Sequence, residues 1–88
     1  MIETIKKLCT NSANKQSEYR GFYLKSDEIA LSGIGVFNRD IASELKISME
    51  KCRRELRKLE IENKLISKET AGGSTRWWVV GLAAELAL

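Results

Sequence analysis

The chain has no histidine, no proline and only two cysteines, and it carries two each of tryptophan, tyrosine and phenylalanine. Without histidine it lacks the side chain most often used as a general base or acid. It also lacks a glycine-rich phosphate loop followed by Lys-Ser or Lys-Thr, so the usual enzyme signatures are missing. A serine-lysine or paired-carboxylate site assembled by the fold is the remaining enzymatic option, and the expectation is that the chain is not an enzyme. Two thiols, Cys9 and Cys52, cannot supply four zinc ligands, so neither a metal nor a cofactor is expected. No segment approaches roughly 18 uninterrupted apolar residues, which argues against a membrane span. The start, Met1-Ile2-Glu3-Thr4-Ile5, is not a charged and then apolar secretory signal. Reduced thiols and a cytoplasmic location follow as expectations.

Charge of neither sign dominates. Fifteen Lys and Arg against 12 Asp and Glu leave a formal net charge of +3, mild overall but unevenly placed. Residues 51 to 58 hold Lys51, Arg53, Arg54, Arg57 and Lys58 against Glu55 alone. Eighty-eight residues suit one domain, residues 1–88, with a core of a few helices and a small sheet and no room for a separate ligand domain.

Residues 39–45 are expected to be helical, with Asn38 as N-cap, Asp40 in the first turn, and Ile41, Ala42 and Leu45 on one face. Lys46, Ile47 and Ser48 leave room only for a tight turn, after which Ser48 is placed to cap a second helix over 49–60. In that helix Met49, Cys52, Leu56 and Leu59 form an apolar stripe. Arg54 lies nearly opposite the stripe, Arg53 sits at its border, and Glu50, Lys51, Arg57 and Lys58 surround Arg54. The outward face is cationic, and phosphates are its complement. The competing explanation is an ordinary solvated helix whose Glu55, Glu60 and Glu62 pair with these cations. The order of elements decides between them: a basic helix arriving second after a three-residue turn, and before a hairpin, suits a DNA major groove.

Asn63 tolerates the left-handed conformation that ends helices. A strand opens at Leu65-Ile66, Thr70 to Thr75 is a turn cluster with two glycines, and Arg76 to Val80 is rich in strand formers. This hairpin, residues 65–80, is the expected wing. It would carry Lys68, Ser74, Thr75 and Arg76 toward a flanking phosphate backbone. Alternation sends Trp77 and Val79 to one face and Trp78 and Val80 to the other, so one tryptophan is expected in the core and one partly exposed.

Elsewhere the patterning is weaker. Ile2, Ile5, Leu8 and Cys9 mark a first helix of about ten residues, ending near Asn11. Residues 11–37 should contain at least one short helix or strand: Gly21 to Leu24 suits either, Ser26-Asp27-Glu28 suits a cap, and Val36-Phe37 suits a strand pairing with the wing. Leu82, Ala83, Leu86 and Ala87 fall at helical spacing, and such a tail either caps the core or meets a copy of itself. The fold class expected is α+β and mainly helical, a winged helix-turn-helix of three helices plus a small antiparallel hairpin.

The run Asn38-Arg39-Asp40-Ile41-Ala42-Ser43-Glu44-Leu45-Lys46-Ile47-Ser48, then Arg53-Arg54-Glu55-Leu56-Arg57-Lys58-Leu59, then Gly72-Gly73-Ser74-Thr75-Arg76-Trp77-Trp78 resembles bacterial winged-helix transcription regulators. Lys46 stands at a turn position where many of those regulators carry glycine. Within that group the small size and the glycine-bearing wing before an aromatic strand resemble regulators of fimbrial operons, pilus and adhesin operons alike; a phage or plasmid regulator fits nearly as well. The fimbrial resemblance implies a leucine-responsive global regulator as partner. The function expected is sequence-specific binding of double-stranded DNA. Arg54, Lys51 and Glu50 are expected at base edges and Arg57 and Lys58 at phosphates, with Arg39, Ser48 and Arg53 also on the DNA-facing surface. The rival is a winged helix used as a protein-interaction module, which would have little need of so uniformly charged a helix. RNA binding lacks a patterned set of aromatics on one sheet face. A lone module buries only roughly 600 to 1,000 Å² on DNA, so a homodimer on DNA is expected, with Leu82, Leu86, Leu88, Ile2 and Ile5 as the two-fold patch.

Overall fold

A computed structural model describes residues 1–88. The elements run α1 (Ile2–Asn14), α2 (Arg20–Tyr23), α3 (Asp27–Ile34), β1 (Val36–Phe37), α4 (Asn38–Leu45), α5 (Met49–Ile61), β2 (Leu65–Glu69), β3 (Thr75–Val79) and α6 (Leu82–Leu86). The fold is mainly helical α+β, with six helices where sequence patterning predicts three. Two of the additional helices come from residues 11–37. Ser26 accepts a hydrogen bond from the Ile29 amide at 3.1 Å and starts α3, as its sequence context suggests. Gly33 on α3 leaves the space that the Tyr23 ring fills, since a Cβ there would lie 2.1 Å from that ring. No helix is long and apolar enough to cross a membrane.

The three strands are ordered β1-β3-β2, all antiparallel. Val36 pairs with Trp77 and Phe37 with Arg76, so the short strand before α4 does pair with the wing hairpin. On the other side Ser67 pairs with Trp77 and Lys68 with Arg76. β3 is therefore the central strand, and helices cover both of its faces. This overturns the expectation of one exposed tryptophan: Trp77 is 1% exposed and Trp78 is fully buried. Strand alternation separates them as expected, but α3 packs on the Trp78 face and closes it, with Asp27 accepting from the Trp78 indole nitrogen.

One cluster of 17 buried residues draws on every helix except α2. Ile5 and Leu82 belong to it, at 0% and 1% exposure. The proposed two-fold patch is thereby corrected, because its central members are already covered within one chain. Only Leu88 is left fully exposed. The same packing extends α1 to Asn14, beyond its expected end, with Ala13 buried in the core.

α6 is latched by one carboxylate. Asp27 accepts from the Gly81 amide at 2.7 Å, the Ala83 amide at 3.0 Å and the Trp78 indole nitrogen at 3.1 Å. Those amides begin a helix and have no partner inside it.

Candidate nucleic-acid interface

The turn between α4 and α5 is fixed at both ends. α4 closes with Lys46 in the left-handed region, φ 56° and ψ 43°. The Lys46 amide donates to the Ser43 carbonyl at 3.3 Å and the Ile47 amide to Ala42 at 3.1 Å, the pair of bonds of a Schellman cap. A lysine at the position where glycine is expected is strained. Ser48 then starts α5, its hydroxyl accepting from the Lys51 amide at 3.1 Å. α5 ends in a second cap of the same kind, with Asn63 at φ 60° and Lys64 donating to Leu59 at 2.9 Å.

Asn38 does not cap α4. It is the first residue of the helix, 8% exposed, with Phe37 at the cap position. Its amide crosses instead to α5 and donates to the Met49 carbonyl at 3.4 Å. The expected stripe on α5 holds at Cys52 and Leu56, both buried, but Met49 is 43% exposed and turns to the surface. Burial raises the Cys52 thiol pKa and pushes that of Cys9 up to about 12, so both are held as thiols at neutral pH.

Between the start of α4, the flank of α5 and the hairpin tip lies a cleft of about 270 Å³. Arg39, Arg53 and Arg57 line it, and Gly73, Ser74 and Thr75 close it on the hairpin side. Phe37, Met49 and Trp77 supply apolar surface, Asn38 completes the lining, and no acidic side chain contributes. The hairpin tip is shaped by Gly73 at φ 84° and by Thr70, whose amide and hydroxyl both donate to the Ser74 carbonyl, at 2.7 and 3.1 Å.

Arg57 is held in place. Its guanidinium lies 5.2 Å from the centre of the Trp77 ring and donates to Glu60 at 2.9 Å. The other Glu60 oxygen accepts from the Ser67 hydroxyl on β2. The Ser67 hydrogen bond, with Arg57 adding to it, holds the Glu60 carboxyl below the ordinary carboxylate range. Arg39, Lys51, Arg53 and Arg54 make no ion pair; Lys58 pairs with Glu55 at 3.4 Å. Two buried polar atoms have no partner, the Trp77 indole nitrogen and Asn38 Oδ1, and both residues line this cleft.

The fold thus gathers Arg39, Arg53, Arg57, Ser74 and Thr75 around one cleft. It leaves Ser48, Glu50, Lys51, Arg54 and Lys58 exposed along α5 and its cap. Two wing residues depart from expectation. Arg76 lies on the opposite sheet face from Trp77, donating to the carbonyls of Gly35 at 3.0 Å and Gly33 at 3.4 Å, with its guanidinium 4.6 Å from the Phe37 ring centre. Lys68, its partner in register, donates to the Ser32 hydroxyl at 2.9 Å. Strand alternation sends both toward α3, away from α5. Sequence reading anticipated that Glu60 pairs with a cation of its own helix, as it does with Arg57; it missed the Ser67 hydroxyl that holds the other Glu60 oxygen and the places of Phe37 and Asn38 in the cleft.

No family model matches the sequence, and no curated protein matches it. Among solved structures, that of the transcriptional regulator SlyA is similar at a TM-score of 0.50 and 16% identity. The match covers 97% of this chain and 63% of that one. The fold is a winged helix. At this identity the likeness concerns the fold, so α4 and α5 are its helix-turn-helix and the β2-β3 hairpin is its wing. The chain spans under two thirds of the length of the SlyA structure.

Proposed function

We propose that the chain is a transcription regulator that binds double-stranded DNA in a sequence-specific manner, with α5 in the major groove and the hairpin tip on the flanking backbone, and that it is not an enzyme. The observation that carries this is the solvent face of α5, where Lys51, Arg53 and Arg54 stand exposed with no acidic partner. An ordinary solvated helix would pair them, as it pairs Lys58 with Glu55. Arg54, Lys51 and Glu50 are assigned to base edges, and Arg57, Lys58 and Arg39 to phosphates. SlyA, named as a transcriptional regulator, supports the class through the shared fold.

Within that class the sequence pattern points to control of a fimbrial operon, with a leucine-responsive global regulator as partner and the cytoplasm as location; the support is the run from Asn38 to Ser48 and the wing from Gly72 to Trp78. One module covers one half-site, so a second copy or a partner protein on an adjacent half-site completes the specificity.

A second reading, a protein-interaction module, draws on α2, where Phe22 is 54% exposed beside Tyr19 at 60%. Selection from random duplex DNA separates the two. Enrichment of a discrete sequence supports the regulator; failure to retain any duplex supports the interaction module.

A further inference from the structure

We infer that the cleft between α4, α5 and the hairpin tip is a seat for one tetrahedral oxyanion, and that its occupant is a backbone phosphodiester of duplex DNA. The source of the phosphate rests on the DNA-binding reading above; the seat itself does not.

Arg39, Arg53 and Arg57 bring three guanidinium groups to one cleft whose lining contains no carboxylate. Glu60 pairs with Arg57 alone, so the charges of Arg39 and Arg53 are left without a counterion beside a third guanidinium, an arrangement best relieved by an anion. Arg57 is the fixed member, held between Glu60 and the Trp77 ring, so its fork is presented at little cost in side-chain entropy. Arg39 and Arg53 have no ion pair of their own and keep their donors free. Ser74 and Thr75 bring two hydroxyls from the hairpin side. Guanidinium forks and hydroxyls are the donors that match phosphate oxygens.

An independent observation marks the same place. Trp77, one of the lining residues, is 1% exposed, and its buried indole nitrogen has no hydrogen-bond partner within the chain. Buried donors are nearly always paired, and one left alone calls for a partner that is not part of the chain. Position selects the occupant. The cleft separates the helix assigned to the major groove from the hairpin tip, and a DNA strand must pass between two such contacts. This moves the wing's backbone contact from Lys68 and Arg76 to the junction of wing and helix.

Two measurements on the full chain test it. The first follows thermal unfolding as inorganic phosphate replaces chloride at constant ionic strength. The melting temperature should rise, because an anion bound only by the native state stabilises it. The rise should disappear in Arg53→Ala and shrink in Arg53→Lys, which keeps the charge and loses the fork; circular dichroism checks that both variants fold. No rise, or an undiminished rise in Arg53→Ala, overturns the seat. The second follows affinity for one duplex against salt concentration. Arg39→Ala and Arg53→Ala should each weaken binding about tenfold on every sequence and lower the log–log slope by about one unit. Phosphate protection with unchanged slopes in a chain that does bind duplex assigns the seat to a free anion and overturns the DNA occupant. Failure of the DNA-binding reading alone would show as no duplex retained while phosphate protection persists.

Discussion

The two faces of the small sheet use similar residue types to opposite ends. Toward α3, Arg76 is spent on the carbonyls of Gly33 and Gly35, Lys68 on Ser32, and the Trp78 indole nitrogen on Asp27. Toward α5, the Trp77 indole nitrogen has no partner and Arg39 and Arg53 pair with nothing. A positive side chain in a wing is therefore no evidence of a nucleic-acid contact until its internal partners are known. What sets the α5 side apart is donors left unused by the fold.

The largest effect expected from disturbing this contrast is on the satisfied side. Asp27→Ala removes the acceptor for two amides and an indole nitrogen at once, and should cost about 2 to 4 kcal/mol in chemical denaturation. Affinity for DNA, measured on the folded fraction, should be unchanged. A loss of affinity as large as the loss of stability would mean that the α3 side also serves the interface.

On the other side Arg54→Ala should cost roughly 1 to 3 kcal/mol at a selected site and flatten sequence preference, with little loss of stability because Arg54 is exposed and makes no ion pair. Binding as strong as the parent's would remove α5 from the major groove.

Arg76→Ala sharpens the comparison. It should lower stability by about 1 kcal/mol and leave the salt slope of DNA binding alone, the reverse of a phosphate-contacting residue. A slope lowered by about one unit would return Arg76 to the DNA surface.

A pH effect comes from Glu60. Its carboxyl titrates below its ordinary value in the native chain, so its contribution is present above the unfolded value and is lost as pH falls through the lowered native one. Ser67→Ala removes the main cause and should flatten the acid limb of a stability profile. An unchanged limb would show that Arg57, not Ser67, holds the carboxylate.

The smallest effect is local. Lys46→Gly should raise stability by roughly 1 kcal/mol, since Lys46 sits at φ 56° where glycine is unstrained. A loss instead would mean that unfolded-chain entropy outweighs the strain.

These contrasts also show what was readable in the chain. Both helices of the tight pair, the Ser48 cap, the left-handed Asn63, and the pairing of Val36-Phe37 with the wing follow from local chemistry: capping side chains, glycines and strand formers act over a few residues. The directions of Arg76 and Lys68 do not. They depend on α3, which lies more than 30 residues earlier in sequence and brings its carbonyls and Ser32 to the sheet. The same distance hid the burial of Trp78 and the Asp27 latch. Ile5 and Leu82 looked available for a partner for a similar reason, since an apolar spacing names a buried face without naming what buries it.

The two tryptophans make the central contrast directly measurable, because each gives one indole N–H resonance in a nitrogen-15 spectrum. On titration with a selected duplex, the Trp77 indole signal should shift together with the amides of α5 and the hairpin tip, while the Trp78 signal, held by Asp27, stays in place. Movement of Trp78 with Trp77 unchanged, or no movement of either while DNA binds, would contradict the account.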